Sequence, residues 1–231
     1  MQRFSSRDIL ILVAIVALFL SQMRGDPFAN PREFAIFLVA IVVAVTVHEF
    51  NHALVAHVLG DLTPKIMGRL TLNPLSHLDP MGSLLFLIAQ FGWGKPVLFN
   101  PNNLKGNQAL GSAAVSFAGP LANILLALAL SLPLRFGLRP DPLEGAILDI
   151  LIRTNILLAA FNLIPIPPLD GFGVLQGILP ARMGRALQPL QDYGPMILLG
   201  LIFLPTLGGP NIIGIILGPI NRAIAVLVFG R

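Results

Sequence analysis

The chain alternates long apolar runs with short polar segments that are rich in proline and glycine. A membrane-spanning helix needs about 20 mostly apolar residues, because each residue advances it by about 1.5 Å across a core of about 30 Å. The pattern predicts an all-α membrane protein that forms a single polytopic domain over residues 1–231. We expect about six transmembrane helices, at Ile9 to Met23, Glu33 to Leu59, Gln108 to Leu134, Gly145 to Ile164, Tyr193 to Leu204 and Ile212 to Phe229.

The first apolar run resembles a signal peptide, but no small-residue cleavage site follows it, so we predict an uncleaved helix. Proline lacks a backbone N–H and clashes with the preceding helical turn. The last two helices should therefore be interrupted at Pro195, Pro205, Pro210 and Pro219.

The connection between the second and third predicted helices has three parts. Gly60 to Pro80 is polar and rich in turn residues. Met81 to Phe91 is apolar but too short to span, which predicts a re-entrant or interfacial segment. Gly92 to Gly106 should be irregular and extended.

Composition supports the membrane assignment, since 55% of the residues are hydrophobic, 11% are charged and the mean hydropathy is +0.81. The chain has no cysteine, so any bound metal must take nitrogen and oxygen ligands. Its net charge is +4, but the basic residues are scattered singly and form no face for nucleic acid. We therefore expect the lipid bilayer, and no nucleic acid, as a partner.

Charge distribution predicts the orientation in the membrane. Six helices with the N-terminus inside would put the 60–106 connection, the 166–192 segment and both termini on one side. Nine basic residues fall on that side and four on the other, so the positive-inside rule makes it cytoplasmic. The nine are Arg3, Arg7, Lys65, Arg69, Lys95, Lys105, Arg182, Arg185 and Arg231, and the four are Arg24, Arg32, Arg135 and Arg139.

A pattern typical of zinc hydrolases lies near the C-terminal end of the second predicted helix. His48 and His52 are four residues apart and so share one helix face, and Glu49 lies beside them. The alternative is a pair of core histidines with a glutamate hydrogen-bonded between helices. Bilayer depth argues against that alternative, because an ionisable group there is expensive and is usually retained for function.

A catalytic zinc site normally has three protein ligands and one open position, so a third ligand is needed. Asp170 is the candidate. It follows three prolines that should end the fourth helix on the cytoplasmic side, where the motif end of the second helix also lies. The alternative is that Leu169 to Gly171 forms only a turn after that helix.

These motifs resemble those of the site-2 proteases, a family of intramembrane zinc metalloproteases. The resemblance rests on His48 to His52, on Gly119-Pro120-Leu121-Ala122-Asn123, and on Asn162 to Gly171, which is similar to the family's Asn-Pro-x-x-Asp-Gly element. It covers about residues 33–171, the expected catalytic core, and is nearest to the compact branch without PDZ or nucleotide-sensing domains. It implies a prokaryotic cytoplasmic membrane and transmembrane protein substrates.

The resemblance also implies roles for individual residues. His48, His52 and Asp170 would bind one Zn²⁺, and Glu49 would act as the base; the chemistry of the residues leads to the same assignment. Asn123 would contact the substrate or the developing oxyanion. An interhelical hydrogen bond is an equally good interpretation of Asn123.

A helical substrate must be unwound before its amides can be attacked. We expect Lys95, Pro96, Val97, Leu98 and Phe99 to bind it as an exposed edge strand. Two other functions compete with proteolysis: a metal transporter that uses the same ligands as a transit site, and an inactive protease-like scaffold. Neither the substrate nor the oligomeric state follows from the sequence.

Overall fold

The computed structural model describes residues 30–79 and 95–230, which are helical and contain no β-strand. The predicted first helix, Ile9 to Met23, and the predicted re-entrant segment, Met81 to Phe91, lie outside these residues. In chain order the helices are α1 (Pro31–Val58), α2 (Thr63–Ile66), α3 (Gln108–Arg135), α4 (Pro142–Asn162), α5 (Asp170–Ile178), α6 (Ala181–Ala186), α7 (Gln188–Phe203) and α8 (Ile212–Phe229).

Polar side chains define where the long helices begin. Asn30, Asn107, Asp141 and Asn211 stand at the N-caps of α1, α3, α4 and α8, and each accepts hydrogen bonds from backbone amides of the first turn. Asp141 and Glu144 form a capping box. These caps allow the apolar runs to start as helices at sharply defined residues.

Within the described residues, three helices are long and apolar enough to cross a membrane, namely α1, α3 and α8. The 21-residue α4 is long enough, but it carries Glu144, Asp149 and Arg153. The 16-residue α7 extends only about 24 Å, which is less than a bilayer core of about 30 Å. The structure therefore shows an all-helical membrane protein and does not confirm six spans.

The expected effect of proline holds at two positions and fails at two. Pro205 and Pro210 lie between α7 and α8. Pro195 and Pro219 instead lie inside α7 and α8, which continue through them. In a membrane bundle, neighbouring helices and local adjustments can satisfy the carbonyl that each proline leaves without a donor.

The bundle is organised around α3, which packs against α1, α4 and α5, while α8 packs against α3 and α4. Phe37 of α1, Ile156 and Phe161 of α4 and Leu217 of α8 belong to one buried apolar core. The core therefore joins helices that are far apart in sequence and sets their relative positions.

The direction of α8 corrects the predicted topology. Ser131 Oγ donates to the carbonyl oxygen of Val228 at 2.7 Å, and Gly230 lies against the guanidinium of Arg135. The C-terminal end of α8 is thus beside the C-terminal end of α3, far from His48 and His52. The prediction that the C-terminus shares a side with the histidines is wrong, because α7, which corresponds to the predicted fifth span, is too short to cross the bundle.

Candidate metal centre

The two histidines of the motif lie on one face of α1, as their spacing predicts. His48 is 5% exposed and His52 is 8% exposed, and their ring centroids are 4.6 Å apart at an interplanar angle of 79°. Their Nε2 atoms both face the start of α5. The motif thus lies in the packed interior, about 9 to 15 Å from the C-terminal end of α1.

Asp170 is the first residue of α5, and the structure brings it to the histidines as the predicted topology requires. Its Oδ2 atom lies 3.0 Å from His48 Nε2 and 3.3 Å from His52 Nε2. One candidate metal-ligand atom from each of the three residues lies within 4.8 Å of those of the other two. Asp170 therefore begins a helix and is not part of a simple turn.

Each imidazole also has a hydrogen-bond partner at Nδ1, the ring nitrogen that does not face Asp170. His52 Nδ1 donates to the carbonyl oxygen of Val115 at 2.7 Å, and His48 Nδ1 lies 2.7 Å from Oδ1 of Asn123. A carbonyl oxygen only accepts, so Nδ1 of His52 must carry the proton. The same tautomer in both rings leaves Nε2 with a free lone pair, which is the state that binds a metal.

This donor set fits a zinc ion. Two nitrogens and one carboxylate oxygen are usual ligands of catalytic zinc, and bonds of about 2.0 to 2.1 Å in tetrahedral geometry separate adjacent ligand atoms by about 3.3 Å. The observed distances to Asp170 are 3.0 and 3.3 Å. Three protein ligands would leave a fourth position for water.

Two glycines make these approaches possible. A Cβ atom on Gly119 of α3 would lie 2.3 Å from His52 Nε2 and 2.6 Å from His48 Nε2. A Cβ atom on Gly171 would lie 2.3 Å from the carbonyl oxygen of Leu163, where α4 ends. The first glycine leaves room beside the imidazoles, and the second lets α5 start close enough to α4 to place Asp170.

Glu49 is half-buried beside the histidines, and its Oε2 atom accepts a hydrogen bond of 3.0 Å from the backbone amide of Val97. Arg69 contributes positive charge nearby. Burial lowers the pKa of Arg69 from its usual value, and the negative charge of Glu49 partly offsets that effect. One carboxylate oxygen of Glu49 is thus oriented by the protein.

The structure gives Asn123 a different setting from the one that the resemblance implies. It is fully buried, its Oδ1 faces His48, and its Nδ2 donates to the carbonyl oxygen of Ala44 at 2.9 Å and to Oδ1 of Asn155 at 2.8 Å. Both amide hydrogens therefore have protein acceptors. This geometry favours the interhelical hydrogen bond over a contact with substrate.

Sequence reasoning missed two contributors to this site: Asn155 and the carbonyl group of Val115. Asn155 is a polar residue in an apolar helix, which is a signal for an interhelical contact in a membrane. No sequence signal identifies Val115, because its contribution comes from the backbone.

The segment from Lys95 to Phe99 lies beside the motif. It has no regular secondary structure, so the described residues do not show it paired as a strand. The amide of Lys95 donates to the carbonyl oxygen of His77 at 2.7 Å, and that of Val97 donates to Glu49.

Asp61, at the end of α1, holds the continuation of this segment. Its fully buried carboxylate accepts from the amide of Asn100 at 2.6 Å, from Nδ2 of Asn103 at 2.8 Å and from the hydroxyl of Thr63 at 2.6 Å. Burial by itself would raise the pKa of Asp61, but these hydrogen bonds lower it to about 2. The segment is thus anchored to the helix that carries the motif.

A cavity of about 350 Å³ opens beside the candidate ligands. Asp170 and Gly173 of α5 line it together with Ser116 of α3. Gln191 of α7 donates to Gln176 of α5 at 2.9 Å across its border. The cavity connects Asp170, whose side chain is 22% exposed, with the surface of the protein.

Comparison with known proteins gives several relatives. The chain is 38% identical over 176 residues to YwhC of Bacillus subtilis and 34% identical over 216 residues to Rip2 of Mycolicibacterium smegmatis, both named as putative zinc metalloproteases. These alignments cover 73% and 86% of the chain and 80% of each relative. A third relative, zinc metalloprotease MJ0392 of Methanocaldococcus jannaschii, is 27% identical over 75% of the chain but only 42% of that longer protein. No protein-family model matches the chain, and no solved structure matches it significantly.

Proposed function

Since the chain belongs to the site-2 protease family of zinc metalloproteases, we propose that it cleaves transmembrane segments of other membrane proteins within the bilayer. The observation that carries this proposal is the meeting of His48, His52 and Asp170 inside a helix bundle with membrane-spanning helices. A soluble substrate would not need a site at this depth.

In this proposal His48 and His52 would hold zinc through Nε2, and Asp170 would hold it through a carboxylate oxygen. When bound, zinc supplies Lewis acidity, which lowers the pKa of a coordinated water to about 7 and polarises the scissile carbonyl. Val115 and Asn123 hold the two imidazoles in the orientation that binding needs.

Glu49 serves as the base that takes a proton from the attacking water and delivers it to the leaving amine. The amide of Val97 occupies Oε2, so Oε1 remains for the proton.

The site belongs to the cytoplasmic half of the membrane. The connection between α1 and α3, at the histidine end of the bundle, carries four basic residues, whereas two lie at or just after the opposite end of α3. By the positive-inside rule, the end with more basic residues is cytoplasmic. The four are Lys65, Arg69, Lys95 and Lys105, and the two are Arg135 and Arg139.

A substrate segment, once unwound, lies along Lys95 to Phe99. This segment is near the base through Val97, is anchored through Asn100 to Asp61, and exposes 43% of Leu98. An extended backbone of this kind can pair with a peptide through main-chain hydrogen bonds. Proline at Phe99 tests this role because it removes one amide, whereas proline at Val97 also removes the hydrogen bond to Glu49.

The central test is Glu49→Gln in the full-length protein, reconstituted in liposomes with a panel of tagged single-span membrane proteins. We expect cleavage to fall by at least about 100-fold, because the amide cannot accept the proton. Bound zinc, measured by elemental analysis, should stay at the wild-type level. Transport or scaffolding would survive the change.

Glu33→Gln is the matched control, since Glu33 lies on the same helix but at the opposite end. It should cleave at the wild-type rate. Cleavage by Glu49→Gln at the rate of this control would refute the assigned mechanism.

A further inference from the structure

Two buried amides connect the candidate metal centre to a helix that contributes no ligand. Asn123 of α3 and Asn155 of α4 are both fully buried. Nδ2 of Asn123 donates to Oδ1 of Asn155 at 2.8 Å, and Nδ2 of Asn155 donates to the carbonyl oxygen of Leu151 at 2.9 Å. Through Asn123, the connection ends at Nδ1 of His48.

The hydrogen bonds fix the orientation of both side-chain amides. A backbone carbonyl only accepts, so Leu151 requires the NH₂ group of Asn155 to face it, and the oxygen of Asn155 then faces Asn123. Ala44 and Asn155 together accept both amide hydrogens of Asn123. The oxygen of Asn123 is therefore the atom that faces His48.

This orientation matters because a side-chain amide can rotate by half a turn, which exchanges the positions of its oxygen and its NH₂ group. With its NH₂ group toward His48, Asn123 would donate to Nδ1 and place the imidazole proton on Nε2. A protonated Nε2 cannot bind a metal. The acceptor oxygens of Asn155 and Ala44 both oppose this exchange, because the rotated Asn123 would bring its own oxygen against theirs.

We propose that Asn155 is a positioning residue for the metal centre, which acts through Asn123 to keep Nε2 of His48 free of its proton and directed at the zinc. The inference rests on the proposed function, because it assumes that His48 is a ligand. Partners of this kind around a metal ligand typically change metal affinity by about 10- to 100-fold.

The test compares zinc affinity of full-length variants by competition with a chelator. Asn155→Leu replaces the amide with an apolar group of similar size, and we expect its affinity to fall at least ten-fold. Thr154→Val is the matched control. Thr154 is the neighbouring residue, is 3% exposed, and its hydroxyl has no hydrogen-bond partner among the described residues. Its affinity should stay within two-fold of wild type.

The melting temperature of each metal-free variant separates positioning from general stability. A purely structural role for Asn155 would lower the melting temperature and leave the zinc affinity of the folded protein unchanged. That result would overturn the inference.

A spectroscopic measurement identifies directly which nitrogen of His48 carries the proton. Nitrogen-15 NMR of the zinc-loaded protein should show the proton of His48 on Nδ1 and zinc on Nε2. The chain has four histidines, so His57→Gln and His77→Gln leave only the two of the motif to assign. Zinc on Nδ1 of His48 would overturn the inference.

Different outcomes refute the metal centre and the positioning role of Asn155. Zinc binding that survives His48→Ala would refute the metal centre and the positioning role together. Zinc binding that needs His48 but is unaffected by Asn155→Leu would refute only the positioning role.

Discussion

Gly119→Ala should destroy the metal centre although it adds a single methyl group. Alanine has a higher helix propensity than glycine by about 1 kcal/mol, so the change favours α3 itself. The new Cβ, however, would lie 2.3 Å from His52 Nε2 and 2.6 Å from His48 Nε2, whereas ordinary contacts begin at 3.4 Å. Relief of the closer contact requires a movement of about 1 Å.

Such a movement is large for a metal site, in which ligand distances hold to about 0.2 Å. Either α3 moves away from α1 or the imidazoles rotate away from Asp170. Structural zinc sites bind with about 10 to 16 kcal/mol over four ligands, which is about 3 kcal/mol for each ligand. Loss of one histidine therefore weakens zinc binding about 100-fold.

The assay is chelator competition on the purified protein, followed by cleavage of a tagged single-span substrate. Gly111→Ala is the matched control on the same helix, because its added Cβ would approach only the flexible side chain of Leu104, at 3.2 Å. This control should bind zinc as wild type does. Wild-type zinc affinity in Gly119→Ala would show that the close approach of α3 to the histidines is wrong.

Two further predictions concern the segment beside the motif. Asp61→Asn should lower the melting temperature, because it weakens the hydrogen bonds that hold Asn100 and Asn103, whereas Asp141→Asn keeps a good N-cap and should not. The pKa of Asp61 is about 2, against about 3.9 for an unfolded aspartate. Its carboxylate therefore stabilises the fold fully above about pH 4, and this stabilisation is lost as the pH falls through 2. The difference in melting temperature between wild type and Asp61→Asn should therefore be constant from pH 7 to 5 and shrink below about pH 4; a difference that already shrinks at pH 6 would contradict this assignment. Val97→Pro and Phe99→Pro should each reduce cleavage at least ten-fold with zinc content unchanged, and unchanged cleavage in both would rule out this segment as the substrate strand.

Much of the helical framework follows from local patterns. The predicted third helix, Gln108 to Leu134, corresponds to Gln108–Arg135, and the predicted last helix has the observed bounds, Ile212–Phe229. Apolar length is sufficient to place them, and the structure adds that an N-cap asparagine precedes each helix. Proline misled the prediction at Pro219, because its effect depends on the neighbours of the helix.

The direction of α8 could not be read from the sequence. Alternation of spans assumes that every apolar segment crosses the membrane, and α7 is too short to do so. The contacts of Ser131 with the carbonyl oxygen of Val228 and of Arg135 with Gly230 show that α3 and α8 end together.

The chemistry of the candidate site follows from local patterns in the sequence. Helical periodicity places His48 and His52 on one face, and the prolines before Asp170 end a helix on the side where a third ligand is needed. Tertiary structure alone decided which nitrogen of each imidazole faces the metal position, through Val115 and Asn123, which are 63 and 75 residues away in the chain. The physical reason is that spacing along a helix is a local property of the backbone. The partner of a buried nitrogen instead depends on how separate helices rotate and slide against each other when they pack.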